Sequence, residues 1–439
     1  MSILDIIPED IPVNDPSYDL ERVSKKKLCN GLELQHSGFI GEGMMGKVYS
    51  MFDRQGKKFA VKENSFDTHR VDADSLVTFK KDAYTYPTFV NMLTKGRQKY
   101  PRRIITELNK HLSKKKIEPK TKIYVSEYFL NCNYVELSSI PLKILVCNNT
   151  MHIEYICFQM MAKLKNTFGV SNNFIDVYDY FSCPHAGPVR RINQYIVMEL
   201  MSTTFEKALV KAIAPRNDQA LNDSVVFQCV HALGCINYYL NMTHNDFRAD
   251  NILIEYNKQL IKDYDCFHYQ VFDKNFYFKS SPFVIKVGDP GISNFWGPQK
   301  NGDTTGPIIC SGNVFNRHLE YLYNMKPLDV DLLLLCSEGV LPLVVPDTAK
   351  EIIEYLVNIP YADVTKLNRY EMYNKFASKK MVSNASKFMN SLEQDISRKD
   401  YLRYPSINIM LKSGIFDKYT TLPSDVSKER VLTLGVITE

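Results

Sequence analysis

The sequence has no apolar run that is long enough to cross a bilayer. Its most apolar stretch, residues 332–345, is interrupted by Ser337, Glu338 and Pro342 before it reaches the roughly 20 residues of a membrane-spanning helix. A secretory signal is also missing, because residues 1–16 are acidic, contain three prolines and lack a basic start. These absences predict an intracellular, cytoplasmic chain without a transmembrane segment.

Closely spaced cysteine pairs are absent too. The ten cysteines contain no C-x-x-C pair and have no cluster of histidines beside them, which argues against a structural zinc site. We expect most of these cysteines to be reduced thiols in the core. Strong charge of one sign is also lacking, since a net charge of +5 over 439 residues is too small to indicate a nucleic-acid-binding surface.

The positive charge that does occur is concentrated in one segment, residues 95–122, which holds eleven basic residues against Glu107 and Glu118. Such a segment can contact acidic substrates, nucleic acid or an anionic membrane. A solvated loop explains the same charges equally well. Stacking platforms for single-stranded nucleic acid are scarce there, because Tyr100 and Tyr124 are the only aromatic residues in or beside it.

Composition and hydrophobic pattern divide the chain into three parts. Residues 1–35 are polar and proline-rich and predict a loosely ordered arm. Residues 36–201 contain strand-like runs, one predicted helix and a basic insertion, residues 64–150, for which we expect some helix of its own. The predicted strands lie within 32–49, 57–62, 174–181 and 194–201, and the helix spans 151–165.

The third part, residues 202–439, is dominated by helical patterns. Apolar residues recur on one face between residues 223 and 241, with Asn222 or Asp223 placed to cap the first turn. Residues 256–280 are predicted to extend a hairpin. Further helices are predicted at 328–340, 348–357 and 384–392.

A glycine-rich segment, Gly41-Glu42-Gly43-Met44-Met45-Gly46-Lys47-Val48, connects two strand-like runs. Glycines at Gly41, Gly43 and Gly46 let backbone N–H groups approach phosphate oxygens, and Val48 would cover a base. A dinucleotide-binding unit is a poor alternative, because residues 47–52 continue as a strand and not as a helix. A Walker A loop is equally poor, because Val48 replaces its Ser or Thr.

The next strand, Phe59-Ala60-Val61-Lys62, ends in a lysine whose ammonium can neutralise nucleotide phosphates if a carboxylate orients it. The candidate carboxylate is Glu154 on the helix predicted at 151–165. A surface glutamate is the alternative interpretation of Glu154, because the long insertion comes before this helix.

A third strand, residues 195–201, is apolar and leads into a linker, where a backbone can pair with an adenine edge. Met198 would then lie at the back of the base pocket.

The loop from His244 to Asn251 carries the most specific pattern. Asp246 and, five residues later, Asn251 place a carboxylate to accept a hydroxyl proton and an amide oxygen to bind Mg²⁺. Arg248 between them could stabilise a transferring phosphoryl group. Asp289 follows a second strand in a D-P-G turn and offers a hard oxygen ligand to Mg²⁺.

These five motifs, in this order between residue 36 and about residue 340, resemble the eukaryotic-type protein kinase superfamily. The resemblance implies an α+β, bilobal fold: a small antiparallel β-rich N-lobe with one main helix, and a larger α-rich C-lobe. It implies Mg²⁺-ATP, with Mn²⁺ as an alternative ion, and protein substrates. Asp246 would be the base, assisted by Lys62 and Arg248, and Asn251 and Asp289 would bind the metal. ATP would contact Gly41, Gly43, Gly46, Val48, Ala60, Lys62, Glu154, Met198, Glu199 and Met201. Asp331, or its competitor Asp329, would brace the catalytic loop.

Several positions depart from that family. Asn245 stands where most members have Arg, which argues against activation through an arginine that clamps a phosphorylated loop. Pro290 replaces the Phe of D-F-G, and no A-P-E follows, so the substrate-docking segment is not assigned. With the insertion after Lys62, these departures are similar to the divergent Ser/Thr kinases of large DNA viruses. That similarity would add the virion as a location.

Two other functions stay open. His244-Asn245-Asp246 followed by Asn251 is also similar to choline and aminoglycoside kinases, although the glycine motif and Lys62 favour a protein substrate. A pseudokinase scaffold is the non-catalytic alternative, and it is disfavoured because every catalytic residue is present. Arg248-Ala249 resembles part of a tyrosine-kinase motif, whereas the similarity to viral kinases favours Ser/Thr. We therefore expect Ser/Thr specificity.

Overall fold

The computed structural model describes residues 34–43, 46–67, 84–85, 121–125, 132–137, 142–147, 150–184, 191–240, 242–296, 308–311, 329–337, 341, 345–357 and 404–438. Within these ranges the chain is a mixed α+β protein, with an antiparallel sheet first and the longer helices later. The predicted helix at 384–392 lies outside the described residues. So do nearly all of the predicted arm and most of the basic segment 95–122.

The described strands and α-helices have the following bounds. The strands are β1 Gln35–Gly43, β2 Gly46–Phe52, β3 Lys58–Asp67, β4 Tyr84–Thr85, β5 Thr121–Val125, β6 Cys132–Leu137, β7 Leu142–Cys147, β8 Val177–Pro184, β9 Arg191–Glu199, β10 Thr203–Thr204, β11 Ile252–Tyr256, β12 Cys266–Val271, β13 Lys274–Lys279, β14 Phe283–Val287, β15 Asn294–Trp296, β16 Ile308–Ser311 and β17 Val431–Ile437. The helices are α1 Thr150–Asn166, α2 Phe205–Ala208, α3 Gln219–Leu240, α4 Leu260–Asp263, α5 Asp329–Ser337, α6 Pro346–Val357 and α7 Pro405–Lys412.

The first sheet has the strand order β1, β2, β3, β9, β8 and is antiparallel throughout. All of the strands predicted for this sheet are present, with shifted ends. In β3, side chains alternate between the two faces. Phe59 and Val61 pack with Val197 on one face. Ala60 joins Met198 in the main core on the other face, which places Lys62 on that same side.

Helix α1 is close to the predicted helix and lies against this sheet. It is buried on most sides, so that even Glu154 is 1% exposed. The helix ends near Gly169, whose φ of 63° places it in the left-handed region. There the N–H groups of Gly169 and Val170 donate to the carbonyls of Lys165 and Leu164.

Helix α3 is the central helix of the later part, and its residues from Leu221 to Leu240 are buried. The prediction that Asn222 or Asp223 caps it is wrong, because the helix already begins at Gln219. The Leu221 N–H instead bonds the Asp218 carboxylate at 3.1 Å. Asp223 is buried and accepts hydrogen bonds from α6 and from the segment after α7.

The hairpin predicted within 256–280 is present as β12 and β13, which pair in antiparallel fashion. A strand from much later in the chain, β17, pairs with β12 in parallel. A separate sheet has the order β10, β11, β14. Strand β14 leads directly to Asp289.

Apart from Thr150, which begins α1, the described residues of the predicted insertion, 64–150, form strands. Strand β3 extends into its start, and β4 to β7 continue into a sheet with β15 and β16. The helix that we expected inside this insertion is not among the described residues before α1 begins.

The described part of the chain contains no helix that combines the length and apolar character needed to span a bilayer. The five cysteines whose side chains are described are buried free thiols, as the sequence predicted: Cys157, Cys229, Cys235, Cys266 and Cys336.

Acid should destabilise the fold through His231 on α3. Its side chain is buried, and its Nε2 atom has no hydrogen-bond partner among the residues that the structure describes. Burial lowers its pKa from 6.5 to about 3. The unfolded chain therefore binds a proton below pH 6.5 that the folded chain does not bind, and stability falls as the pH drops through this window.

We expect His231 to account for a loss of about 2 kcal/mol between about pH 7 and about pH 5. Urea unfolding at several pH values measures this loss. The His231→Leu variant should show a flatter dependence over the same window, whatever its absolute stability. A slope identical to that of the wild type would contradict the assignment.

Candidate functional site

Lys62, Glu154 and Asp289 meet in one charged cluster. The Lys62 Nζ atom donates to both carboxylate oxygens of Glu154, at 2.8 and 2.7 Å, and to Oδ1 of Asp289 at 2.7 Å. Lys62 and Glu154 are almost fully buried, whereas the Asp289 side chain is 40% exposed. The three residues come from β3, α1 and the turn after β14, so the cluster joins three separate parts of the chain.

The charge states of these three residues depend on their burial and on the electrostatic interactions between them. Burial disfavours the charged form of Lys62, but Asp289 and Glu154 outweigh it and raise the lysine pKa above its usual range. Burial raises the pKa of Glu154 to about 7, against the pull of Lys62. Burial also opposes ionisation of Asp289, but Lys62, His244 and Arg248 lower its pKa below the ordinary value. The cluster therefore keeps a charged ammonium beside an ionised, partly exposed carboxylate.

Asp331 holds the backbone of the loop from His244 to Asn251. The backbone N–H groups of His244 and Asn245 each donate to one oxygen of Asp331, both at 2.7 Å. Burial raises the pKa of Asp331 to about 6, a value that leaves it largely ionised at neutral pH. Asp331, one of the two aspartates that the sequence left open, thus contacts the loop.

Asp246 and Asn251 are joined within that loop. The Asn251 amide nitrogen donates to the Asp246 carbonyl at 2.8 Å and to Asp246 Oδ2 at 2.7 Å. These bonds use the nitrogen of the amide and leave its oxygen as the atom that can bind a cation. Arg248 lies alongside, with Nε at 3.3 Å from Asp246 Oδ1 and its guanidinium bonded to Asp250 at 2.8 Å.

The two aspartate-bearing loops also touch each other. The Gly288 N–H donates to the Asn251 carbonyl at 3.1 Å, and His244 Nε2 lies 2.8 Å from the Gly288 carbonyl. A β-carbon at Gly288 would come within 2.8 Å of the Asn251 carbonyl, so only glycine permits this approach. Asp289 then adopts a φ of 43°. The loop that carries Asp246 and Asn251 is therefore bonded to Gly288, the residue directly before Asp289.

The glycine-rich segment lies at the end of the β1–β2 hairpin. Gly41 pairs with Val48, and Gly43 pairs with Gly46. Gly46 has a φ of 134°, and a β-carbon there would lie 2.3 Å from the Glu63 carbonyl. Gly46 is thus required by the backbone, whereas a β-carbon at Gly41 or Gly43 would meet no described atom within 4 Å.

The remaining predicted nucleotide contacts are arranged around the same strands. Val48 pairs with Lys62, and Ala60 pairs with Met198, both across neighbouring strands. Val48 is partly buried against the core, and Ala60 and Met198 are buried in it. These three apolar side chains are therefore near Lys62 in the sheet register.

Glu199 and Met201 sit where the first sheet gives way to the later part of the chain. Glu199 ends β9 and accepts the Asp176 N–H at 3.2 Å, while Lys165 lies 3.7 Å from its carboxylate. Met201 follows the strand and is half-buried. The strand prediction of 194–201 is thus two residues too long at this end.

Asn173 and Gln228 support the site, and sequence reasoning missed both. The Asn173 side chain donates to the Ile285 carbonyl at 3.0 Å, and Gln228 Oε1 accepts the Ile285 N–H at 3.0 Å. The Asn173 carbonyl accepts the Val287 N–H at 2.9 Å. They bond the edge of β14 that does not pair with β11. Gln228 was detectable as a polar residue within the apolar pattern of α3.

No protein-family model matches this chain, and no curated protein matches it. Among the described residues, no group of three or more His, Cys, Asp or Glu side chains is arranged to hold a metal ion. The hard oxygen donors Asn251 and Asp289 nonetheless fit Mg²⁺, which commonly takes one or two protein ligands together with water and substrate phosphates.

Proposed function

We propose that this protein is an ATP-dependent protein kinase that transfers the γ-phosphate of Mg²⁺-ATP to Ser or Thr hydroxyls of protein substrates. One observation carries the proposal: Lys62 bonds both Glu154 and Asp289, while Asp246 and Asn251 are bonded to each other in the adjoining loop. An ammonium, a proton acceptor and metal-binding oxygens are the groups that phosphoryl transfer requires. The bilobal kinase-like fold, with residues 36–201 and 202–439 as its two lobes, is part of the proposal.

In this mechanism Asp246 accepts the proton of the substrate hydroxyl. The hydroxyl oxygen forms a bond to the γ-phosphorus as the bond to the bridging oxygen of ADP breaks, and ADP leaves with that electron pair. Asn251 orients Asp246 through its contact with Oδ2. Arg248, close to Asp246 Oδ1, would stabilise negative charge on the transferring group.

Lys62 holds the nucleotide phosphates, and Glu154 fixes the direction of its ammonium. Asn251 and Asp289 would hold Mg²⁺, which neutralises phosphate charge when it is bound. Asp289 is ionised and partly exposed, so its carboxylate is available to a cation at neutral pH. Val48, Ala60 and Met198 would enclose the base, and Gly41, Gly43 and Gly46 would lie over the phosphates.

The test is transfer of label from γ-labelled ATP by the purified full-length chain, with Mg²⁺ or Mn²⁺. A generic protein acceptor and choline are offered in parallel, and labelled protein is hydrolysed for phosphoamino-acid analysis. We expect label in phosphoserine and phosphothreonine. Label only in choline would replace the proposal with a small-molecule kinase. Nucleotide binding without any transfer would replace it with a pseudokinase scaffold.

A further inference from the structure

Strand β17 has two hydrogen-bonded neighbours. On one side it pairs in parallel with β12. On the other side it bonds the loop of residues 170–174, which connects α1 to β8. The Val436 N–H donates to the Val170 carbonyl at 2.8 Å, and the Asn172 N–H donates to the Leu434 carbonyl at 2.7 Å. The loop that follows α1 is thus bonded to a strand that lies far away in the sequence.

Strand β17 is also anchored independently of that loop. At its start, the Arg430 guanidinium makes two hydrogen bonds to the Asp265 carboxylate, at 2.7 and 2.8 Å. After its end, the Tyr239 hydroxyl accepts from the Thr438 N–H and donates to the Thr438 carbonyl. Strand β17 is therefore a fixed support for the 170–174 loop.

The same loop also fixes β14. Besides the bonds of Asn173 to Ile285 and Val287 described above, Lys286 Nζ donates to the Asn172 carbonyl at 2.7 Å. Lys286 is 3% exposed, so this bond is protected from water. Strand β14 ends two residues before Asp289. The loop is therefore bonded to two elements of the candidate site. Val170 bonds Leu164 of α1, the helix that carries Glu154, and Asn172 and Asn173 bond β14, the strand that leads to Asp289.

We propose that β17 is a positioning element for phosphoryl transfer. By holding the 170–174 loop, it keeps Glu154 and Asp289 aligned on Lys62, although no residue of β17 contacts that cluster. The catalytic part of this inference rests on the proposed function. A shift of about 1 Å in a catalytic group can cost on the order of 10²-fold in rate, so this remote support has a measurable effect.

The test removes one bond between β17 and the loop. Val436→Pro deletes the N–H that donates to Val170, whereas the control Val436→Ala keeps that N–H and shortens the side chain. We expect Val436→Pro to lower kcat roughly 10- to 100-fold, and Val436→Ala to stay within about twofold. Hydrogen exchange should accelerate in residues 150–166 and 283–287 for the proline variant and stay unchanged for the alanine variant.

A double-mutant cycle separates positioning from general destabilisation. Glu154→Gln should lower kcat strongly in the wild type and only slightly in the Val436→Pro chain, because Glu154 is already misaligned there. If the double variant instead lowers kcat by the product of the two single-variant factors, the inference is wrong.

If circular dichroism shows that Val436→Pro does not fold, Arg430→Met decides by the same criteria, because it removes the two hydrogen bonds that anchor the start of β17 to Asp265, and Lys428→Met is the exposed control. Lack of transfer by the wild-type chain would refute the proposed function. The hydrogen-exchange comparison would still decide the role of β17, and unchanged exchange in both segments would overturn it.

Discussion

The Asp246→Asn variant should transfer phosphate roughly 10²- to 10⁴-fold more slowly than the wild type, the range expected for loss of a general base. Asparagine has the same shape as aspartate, and its amide oxygen can still accept the hydrogen bond from Asn251. It cannot take up the proton of the substrate hydroxyl. Initial rates of label incorporation at saturating ATP measure the effect, and ATP affinity should change little.

The matched control for this variant is Asp273→Asn. Asp273 is exposed in the turn between β12 and β13, and its replacement removes the same charge from the chain. We expect this control to keep the wild-type rate. If Asp246→Asn also kept that rate, Asp246 would not be the base, and the proposed mechanism would be wrong.

The Asp331→Ala variant should be the most destabilising change near the site. Its carboxylate accepts the N–H groups of His244 and Asn245, both buried. Each buried N–H left without a partner costs about 1 to 3 kcal/mol, so the expected loss from the two groups is about 2 to 6 kcal/mol. The loop that carries Asp246 would also lose both hydrogen bonds to residue 331. We therefore expect both kcat and the free energy of unfolding to fall.

Asp329→Ala provides the comparison, because it removes a carboxylate from the first position of the same helix. Urea unfolding and initial rates should both show a much larger effect at Asp331 than at Asp329. Equal losses in the two variants would mean that the contact with the loop is not what Asp331 contributes.

The sequence predicted local features well where a simple period or a motif determined them. The alternation in β3 places Lys62 on the face of the strand that is opposite to Phe59 and Val61. The apolar pattern of residues 151–165 predicted a helix that could present Glu154. Their meeting across 92 residues was predicted only through the resemblance of the motifs. Periodicity alone offered a surface glutamate as the alternative.

Features that depend on a choice among equivalent residues could not be predicted. Asp218, Asn222 and Asp223 are all good residues for capping a helix, and the structure uses Asp218, which accepts the Leu221 N–H, while Asn222 and Asp223 are buried. Asp329 and Asp331 both precede the apolar run of α5. The contacts of the 170–174 loop were also missed, because backbone hydrogen bonds between distant segments leave no signal in a single sequence.

The long-range pairing of β17 bears on how the molecule acquires its native state. Arg430 and Asp265 are 165 residues apart, and Tyr239 and Thr438 are 199 apart. Closing loops of this length costs chain entropy before any contact is gained, so such high-contact-order pairings slow folding. We therefore expect refolding to yield a compact intermediate with most of its helices formed, and competence for ATP turnover to emerge in a later, slower kinetic phase.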